Sequence, residues 1–376
     1  MGKIWGAIAD YIRECDKIML LLCLFAGGYG CIGVLTSTNY LGSHRQFFVQ
    51  LIALIIGFFV AVGVSLIDYE DLLRRWYLVA ALGVIPVILT FIIGYAPEGT
   101  DDKAWLLLPG GMTFQPAELL KSCFMITFAK HLSSVRDVNK PKNLLLLCAH
   151  GAVPVLLIHF QGDDGTALVF GVMFLSMMFA AGVRLRYFIA ALIGACVAAP
   201  FVFFFIMNED QKARILYLFD LESNLQGIGY QQWRGRIALA NGGFFGQGLF
   251  RGELTQSGNV PFGYNDFIFA SIGEELGFLG CLAIIAVLAA ICVRCVRVAK
   301  MCQNSAGKII CTGVFAMVLA QSAINIGMCV SVLPVIGITL PFFSAGGTSL
   351  MCLFISVGLD VSVYIRRNSR TIYLHD

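Results

Sequence analysis

Uncharged apolar runs of bilayer length recur along this chain, and no other feature limits its fold so tightly. Residues 18–36, 46–67, 76–96, 143–162, 165–183, 187–208 and 276–293 contain no Asp, Glu, Lys or Arg, and about 20 such residues cross a bilayer as a helix. Between Lys308 and Asp360 lies a longer uncharged stretch whose middle, SVLPVIGITLPFFSAGG, carries two prolines and a glycine pair. That punctuation splits it into spans near 309–330 and 346–366. A charged span at 112–131 brings the total to about ten. With 58% hydrophobic and 13% charged residues and a mean hydropathy of +0.81, the chain cannot be a soluble enzyme built around one core. The expected fold is an all-α polytopic membrane protein, a single domain over 1–376.

The basic residues orient these spans. With the N-terminus in the cytoplasm, 18 of the 26 Lys and Arg fall inside, among them Arg74, Arg75, Lys130, Arg184, Arg294 and Arg366. Every short loop obeys the positive-inside rule, so both termini are expected to be cytoplasmic, with a long extracellular loop at 209–265 between helices 7 and 8. Asp10, Glu14 and Asp16 ahead of the first apolar run argue against a cleavable signal peptide. The net charge of +3 is accounted for by the cytoplasmic loops and implies no nucleic-acid partner. Most of the thirteen cysteines lie inside apolar spans as small hydrophobes, and Cys292-Val-Arg-Cys295 has no second pair to complete a metal site.

In this topology the unusual chemistry gathers at the outer face. FQPAELLK at 114–121 puts Glu118 and Lys121 on one helix face, one to two turns below the surface. They are either a structural ion pair or part of a site. QGDDGTA at 161–167 carries Asp163 and Asp164, which read by themselves as a solvated turn. In GYNDFIFASIGEELG, Asp266 is expected to open helix 8, where the helix dipole would favour its charged form. Glu274 and Glu275, two turns deeper, read first as buried carboxylates bonded to neighbouring backbone. NGGFFGQG at 241–248 lacks a P-loop's GK[ST] and reads as a compact turn. His150 and His159 have no ligand-spaced partner and read as packing residues. The turn at 331–347 is expected to dip back toward the membrane.

Taken together, these stretches resemble the SEDS family of polytopic peptidoglycan glycosyltransferases (RodA, FtsW, SpoVE). FQPAELLK is similar to that family's FQPSExxK, QGDDGTA to QPDLGTA, and GYNDFIFASIGEELGFLG to HTDFIFAxxxEELGxxG. GYQQWRGRIALANGGFFGQGL resembles its GYQ…GGxxGxG stretch, and INIGMCVSVLPVIGITLPFFSAGGTSL its NxGxxxGxxPxTGxxLPFxSxGGSSL. The matches run in family order from about 105 to 360. IDYEDL at 67–72 and the short tail after Arg370 lean slightly toward the RodA branch.

The resemblance implies an enzyme that polymerises lipid II into glycan strands at the outer face of the bacterial cytoplasmic membrane and releases undecaprenyl pyrophosphate. Asp266 then matches the essential aspartate and is the expected general base. Glu118, Lys121, Asp163, Trp105 and Gln115 are expected to line the substrate cavity. Positive charge for the pyrophosphate would come from Lys121, an outer-loop arginine or a divalent cation, Mg²⁺ or Mn²⁺. The implied partners are lipid II, the nascent strand, a class B penicillin-binding protein and membrane lipids. Gly162, Asp164, Asn265, Ala345 and Ala117 depart from the family pattern, as does Trp233-Arg234-Gly235-Arg236. Two other functional classes stand beside the polymerase. A flippase of lipid-linked precursors would also use buried ionisable residues, and a non-catalytic scaffold of a cell-wall complex would not need Asp266.

Overall fold

The computed structural model describes residues 11–96, 103–108, 112–218 and 229–368. Because a chain in hydrocarbon must satisfy its backbone internally, the apolar runs resolve into helices. These are α1 (Lys17–Ser37), α2 (Arg45–Leu66), α3 (Tyr69–Arg74), α4 (Trp76–Ile93), α5 (Pro116–Ser134), α6 (Pro141–His159), α7 (Asp164–Ala180) and α8 (Leu185–Phe201). A π-helical turn, Val202–Ile206, prolongs α8. Then follow α9 (Glu209–Leu216), α10 (Gly229–Gly242), α11 (Glu253–Gln256), α12 (Ile268–Met301), α13 (Ser305–Cys329) and α14 (Gly347–Ile365).

Among the described residues, eight helices are long and apolar enough to cross a membrane: α1, α2, α4, α6, α8 with its π turn, α12, α13 and α14. The two remaining expected spans are also helical. α5 carries charge, and α7 is a shorter apolar helix. The molecule is a multi-pass membrane protein.

Local chemistry sets the helix starts. Asp16, Asp163 and Asn304 accept from the backbone N–H of Met19, Thr166 and Ala306, capping α1, α7 and α13. Pro116 and Pro141 occupy the first turns of α5 and α6, where the missing N–H costs nothing. The centre of the bundle is α13 and α14, with 72% and 67% of their apolar windows buried, whereas none of α8 is buried and it faces lipid. α14 lies along α2, and α12 packs against α13.

Three features differ from the sequence expectation. Residues 112–114 are not the start of the span expected at 112–131: as β2 (Met112–Phe114) they pair antiparallel with β1 (Leu106–Leu108). Pro116 fixes where the helix begins. The stretch 209–265 is not an open loop, since its described part holds α9, α10 and α11, while 219–228 lies outside the described residues. Finally, α12 starts at Ile268, behind Asp266, and breaks at Gly277, whose φ of 66° and ψ of −163° leave the helix region.

The glycine-rich turn accounts for that break. Gln247 and Gly248 N–H donate to the carbonyls of Glu274 and Glu275, and Phe278 and Leu279 N–H donate to those of Gly243 and Phe244. The turn therefore takes up backbone groups that the kink frees within the bundle. A side chain at Gly277 would run into the backbone of Phe244 and Gly246.

Candidate functional site

The loop 331–346 does dip into the bundle, and the site is assembled around it. Its residues Ile338, Leu340, Phe342 and Phe343 are buried, and it is held by side chains of two helices and by the backbone at 264–265. Asn325 of α13 donates from Nδ2 to the Ile338 carbonyl at 2.7 Å. Gln50 of α2 donates to the Ser344 carbonyl at 3.0 Å and accepts from Gly346 N–H at 3.1 Å. Ser344 Oγ donates to the Asn265 carbonyl, and Ala345 N–H to that of Tyr264. On α1, Gly30 lets the loop approach, because a side chain there would meet the backbone of Phe342 and Phe343.

This arrangement fixes Asp266. Its carbonyl accepts from Asn325 Nδ2 at 2.7 Å and from Cys329 Sγ at 3.6 Å, so one amide of α13 ties Asp266 and the buried loop together. The carboxyl lies beside Gly337, and no hydrogen bond caps α12, whose N-cap is Phe267. The dipole reading is therefore overturned in direction. Burial, reinforced by the negative charge of Asp163, pushes the Asp266 carboxyl up to about 6.

Asp163 reaches the same place from α7. Its Oδ1 accepts from Thr166 N–H at 2.8 Å and its Oδ2 from Gln115 Nε2 at 2.8 Å. A side chain on Gly165, the second residue of α7, would meet the Ile336 carbonyl and Ile338, so the start of α7 abuts the loop beside Gly337. Gln115 is the N-cap of α5. Glu118 and Lys121 follow on the same face of that helix at spacings of three. Their ion pair is closed, Nζ to Oε1 at 2.7 Å, with Lys121 only 1% exposed. Glu118 also lines a small cavity with Gln321, Thr339, Pro341, Ser344 and Ser349. Four of the expected residues thus form a continuous run, Lys121, Glu118, Gln115 and Asp163, leading to the fifth, Asp266.

Trp105 stands apart from these hydrogen bonds. It forms a backbone bridge with Tyr95 at the base of the hairpin. Asp164 is separated in role from Asp163: it pairs with His159 Nδ1 at 2.5 Å and accepts from Gln211 Nε2 of α9 at 2.5 Å. Glu274 accepts from the N–H groups of Leu254 and Thr255 and caps α11, while Glu275 accepts from Gln256. Both carboxylates hold the outer segment in place. His150 is not partnerless, since its Nδ1 lies 3.1 Å from Nδ1 of His131.

Sequence reasoning passed over Asn325, Gln50 and Arg214. Arg214 of α9 donates to the Val335 carbonyl at 2.9 Å, which puts a guanidinium on the outer side of the same loop. The signal for Asn325 and Gln50 was available, because each is an amide in an otherwise apolar span.

The fold and site define a multi-pass membrane protein with two interacting carboxylates and a buried ion pair gathered around a re-entrant loop. The profile of the FtsW/RodA/SpoVE family, described as cell cycle protein, matches residues 15–369. The chain belongs to that family. A probable peptidoglycan glycosyltransferase FtsW from Geobacter sulfurreducens is 31% identical, covering 96% of this chain and 98% of its own. The peptidoglycan glycosyltransferase MrdB of Escherichia coli is 29% identical, covering 75% and 76%. These relatives do not favour the RodA branch over the FtsW branch. Among solved structures, RodA of Thermus thermophilus superposes with a TM-score of 0.70 at 21% identity, covering 95% and 98% of the two chains. A chain from a peptidoglycan synthase complex that coordinates polymerization and crosslinking gives 0.81 at 23% identity, covering 95% and 99%. Both share the fold.

Proposed function

We propose that this protein is a peptidoglycan glycosyltransferase that polymerises lipid II at the outer face of the bacterial cytoplasmic membrane, with Asp266 as general base. The observation that carries the reading is the environment of Asp266. A carboxyl with a pKa near 6 is mostly ionised at neutral pH, yet basic enough to take a proton efficiently. Asn325 fixes its backbone carbonyl, and its carboxyl lies beside Gly337.

In the proposed reaction, Asp266 removes the proton of the acceptor's 4-hydroxyl as that oxygen attacks the anomeric carbon of the lipid-linked donor. The bond from that carbon to the pyrophosphate breaks, and undecaprenyl pyrophosphate leaves with both electrons. Because Lys121 is already bonded to Glu118, its role is to position the Gln115 and Asp163 side of the cavity. Arg214, with donors to spare beyond its bond to Val335, faces the charge of the pyrophosphate. No group of three or more His, Cys, Asp or Glu able to hold a metal occurs among the described residues. A divalent cation would instead be held by Asp163 and the phosphate oxygens, the pattern usual for Mg²⁺, and would supply neutralisation of the leaving group. A class B penicillin-binding protein is the proposed partner, in keeping with the synthase-complex neighbour.

The test is polymerisation of fluorescent lipid II by the purified protein with its cognate partner, comparing wild type with Asp266→Ala at matched folding. Strands from wild type and none from the variant are expected. Equal product from both removes Asp266 from the chemistry, and no product from either returns the flippase and scaffold readings.

A further inference from the structure

A cleft of about 220 Å³ opens between α4, α5 and α6, lined by Trp76 and Val84 of α4, Phe124 and Thr127 of α5, and Val153 and Pro154 of α6. Leu120 and Cys123 line it too, so it runs along α5 from beside Lys121 to Thr127. Thr127 is roughly 14 Å further along the α5 axis than Glu118, at 1.5 Å per residue. That displacement is toward the end of the bundle where the positive-inside rule puts the cytoplasm. The lining is apolar apart from Thr127 and His150, whose Nδ1 is already taken up by His131, and a cleft several times the roughly 30 Å³ of a water molecule stays dry where its walls are apolar. In a bilayer, hydrocarbon is the filling at hand.

The rim supplies the other half of the argument. Trp76, 45% exposed, is the first residue of α4, and an indole at that position suits the headgroup level of a membrane. Arg75 immediately precedes it and is exposed. Lys130 lies three residues beyond Thr127, one turn closer to the same surface and on the same face of α5. Arg74 is engaged with Asp71 at 3.6 Å, whereas Arg75 and Lys130 have no ion pair among the described residues. An apolar cleft with two cations next to its lining, Arg75 adjoining Trp76 and Lys130 one turn past Thr127, matches a ligand with an anionic head and a hydrocarbon chain. The nearest supply is the leaflet on that side.

We propose that this cleft holds an acyl chain of an anionic phospholipid from the cytoplasmic leaflet, with the headgroup phosphate on Arg75 and Lys130.

Native mass spectrometry of the delipidated full chain tests this, with phosphatidylglycerol, phosphatidylcholine and undecaprenyl phosphate titrated in parallel. Wild type is expected to retain one phosphatidylglycerol at a lipid concentration at least tenfold below that needed for phosphatidylcholine. Arg75→Glu with Lys130→Glu, two surface changes that leave the core intact, should bring phosphatidylglycerol down to the phosphatidylcholine level. Ala80→Trp, which fills the cleft, should remove retention of both. Equal retention of the two phospholipids by wild type, or full retention by either variant, overturns the proposal. Tighter binding of undecaprenyl phosphate than of phosphatidylglycerol also overturns it, by giving the cleft to the substrate lipid.

Discussion

Replacing Asp163 by Asn isolates the electrical influence of one carboxylate on the other. Asn keeps one oxygen to cap α7 at Thr166, and its Nδ2 takes the place of Oδ2 opposite Gln115, whose amide turns to present Oε1 as the acceptor, so the site keeps both hydrogen bonds while one negative charge is lost. The Asp266 carboxyl stands at about 6 against an ordinary 3.8, with burial the first cause and Asp163 the second. Removing the lesser cause lowers it by less than half of the roughly two-unit rise, so by under about one unit. At pH 5, a base of pKa about 6 is roughly one-tenth ionised, and one of about 5.5 roughly one-quarter. Relative to its own plateau, the variant should therefore be about two to three times as active as wild type at pH 5, and equal to it above pH 7. The assay is the initial rate of lipid II polymerisation from pH 4.5 to 8, each profile normalised to its plateau. An acid limb that stays in place, or that moves to higher pH, refutes the coupling. A wild-type profile with no limb between pH 5 and 7 refutes Asp266 as the base.

Asp266→Asn should lower the rate by about 10²- to 10⁴-fold. Because the folded carboxyl sits above its unfolded value, ionisation costs stability as pH rises from about 4 through 6. The variant's Tm at pH 7.5 should therefore equal or exceed that of wild type, and a large drop in Tm would contradict the assigned environment. Lys121→Ala leaves Glu118 buried without its partner and should cost about 3–5 kcal/mol, read as a loss of Tm in detergent. Glu118→Gln with Lys121→Met should recover most of that Tm without recovering polymerisation, whereas recovery of both would make the pair purely structural. Gly277→Ala forces φ of 66° on a residue with a Cβ, against the backbone of the glycine-rich turn. It should lower stability by at least about 1–3 kcal/mol, and an unchanged Tm would show that the turn does not lock the kink.

The spans were legible because hydrocarbon imposes one rule on every segment: the uncharged runs had to become helices. The charges at Glu118 and Lys121 stood out for the converse reason, since each is costly inside a span, whereas Asp163 by itself reads as a solvated turn and gained its weight from the family resemblance. What the sequence did not reveal depends on partners brought together from afar. A strand over 112–114 replaces the expected start of the span at 112 because Leu106 pairs with Phe114 and Leu108 with Met112. No periodicity in three-residue strands announces that pairing. The break at Gly277 is invisible locally, because a glycine inside an apolar run reads as continuing helix until the turn at 241–248 is known to bond across it. The direction of the Asp266 shift was likewise out of reach. Helix position argued for a lower value, but the helix begins two residues later and burial dominates.

Asn325 explains why these pieces form one device. A primary amide donates two hydrogens, and here both go to carbonyls from different chain segments, Asp266 ahead of α12 and Ile338 in the buried loop. The loop in turn abuts the start of α7, which carries Asp163, and also lines the cavity beside Glu118. A shift of the loop therefore changes the surroundings of both carboxylates at once, and a shift of α12 below the Gly277 break is passed to Asp266 through its short outer limb. The surroundings of Asp266 are thereby tied to loop position through Asn325, which bonds both. That arrangement suits an enzyme whose acceptor and donor must both be seated before a proton is taken.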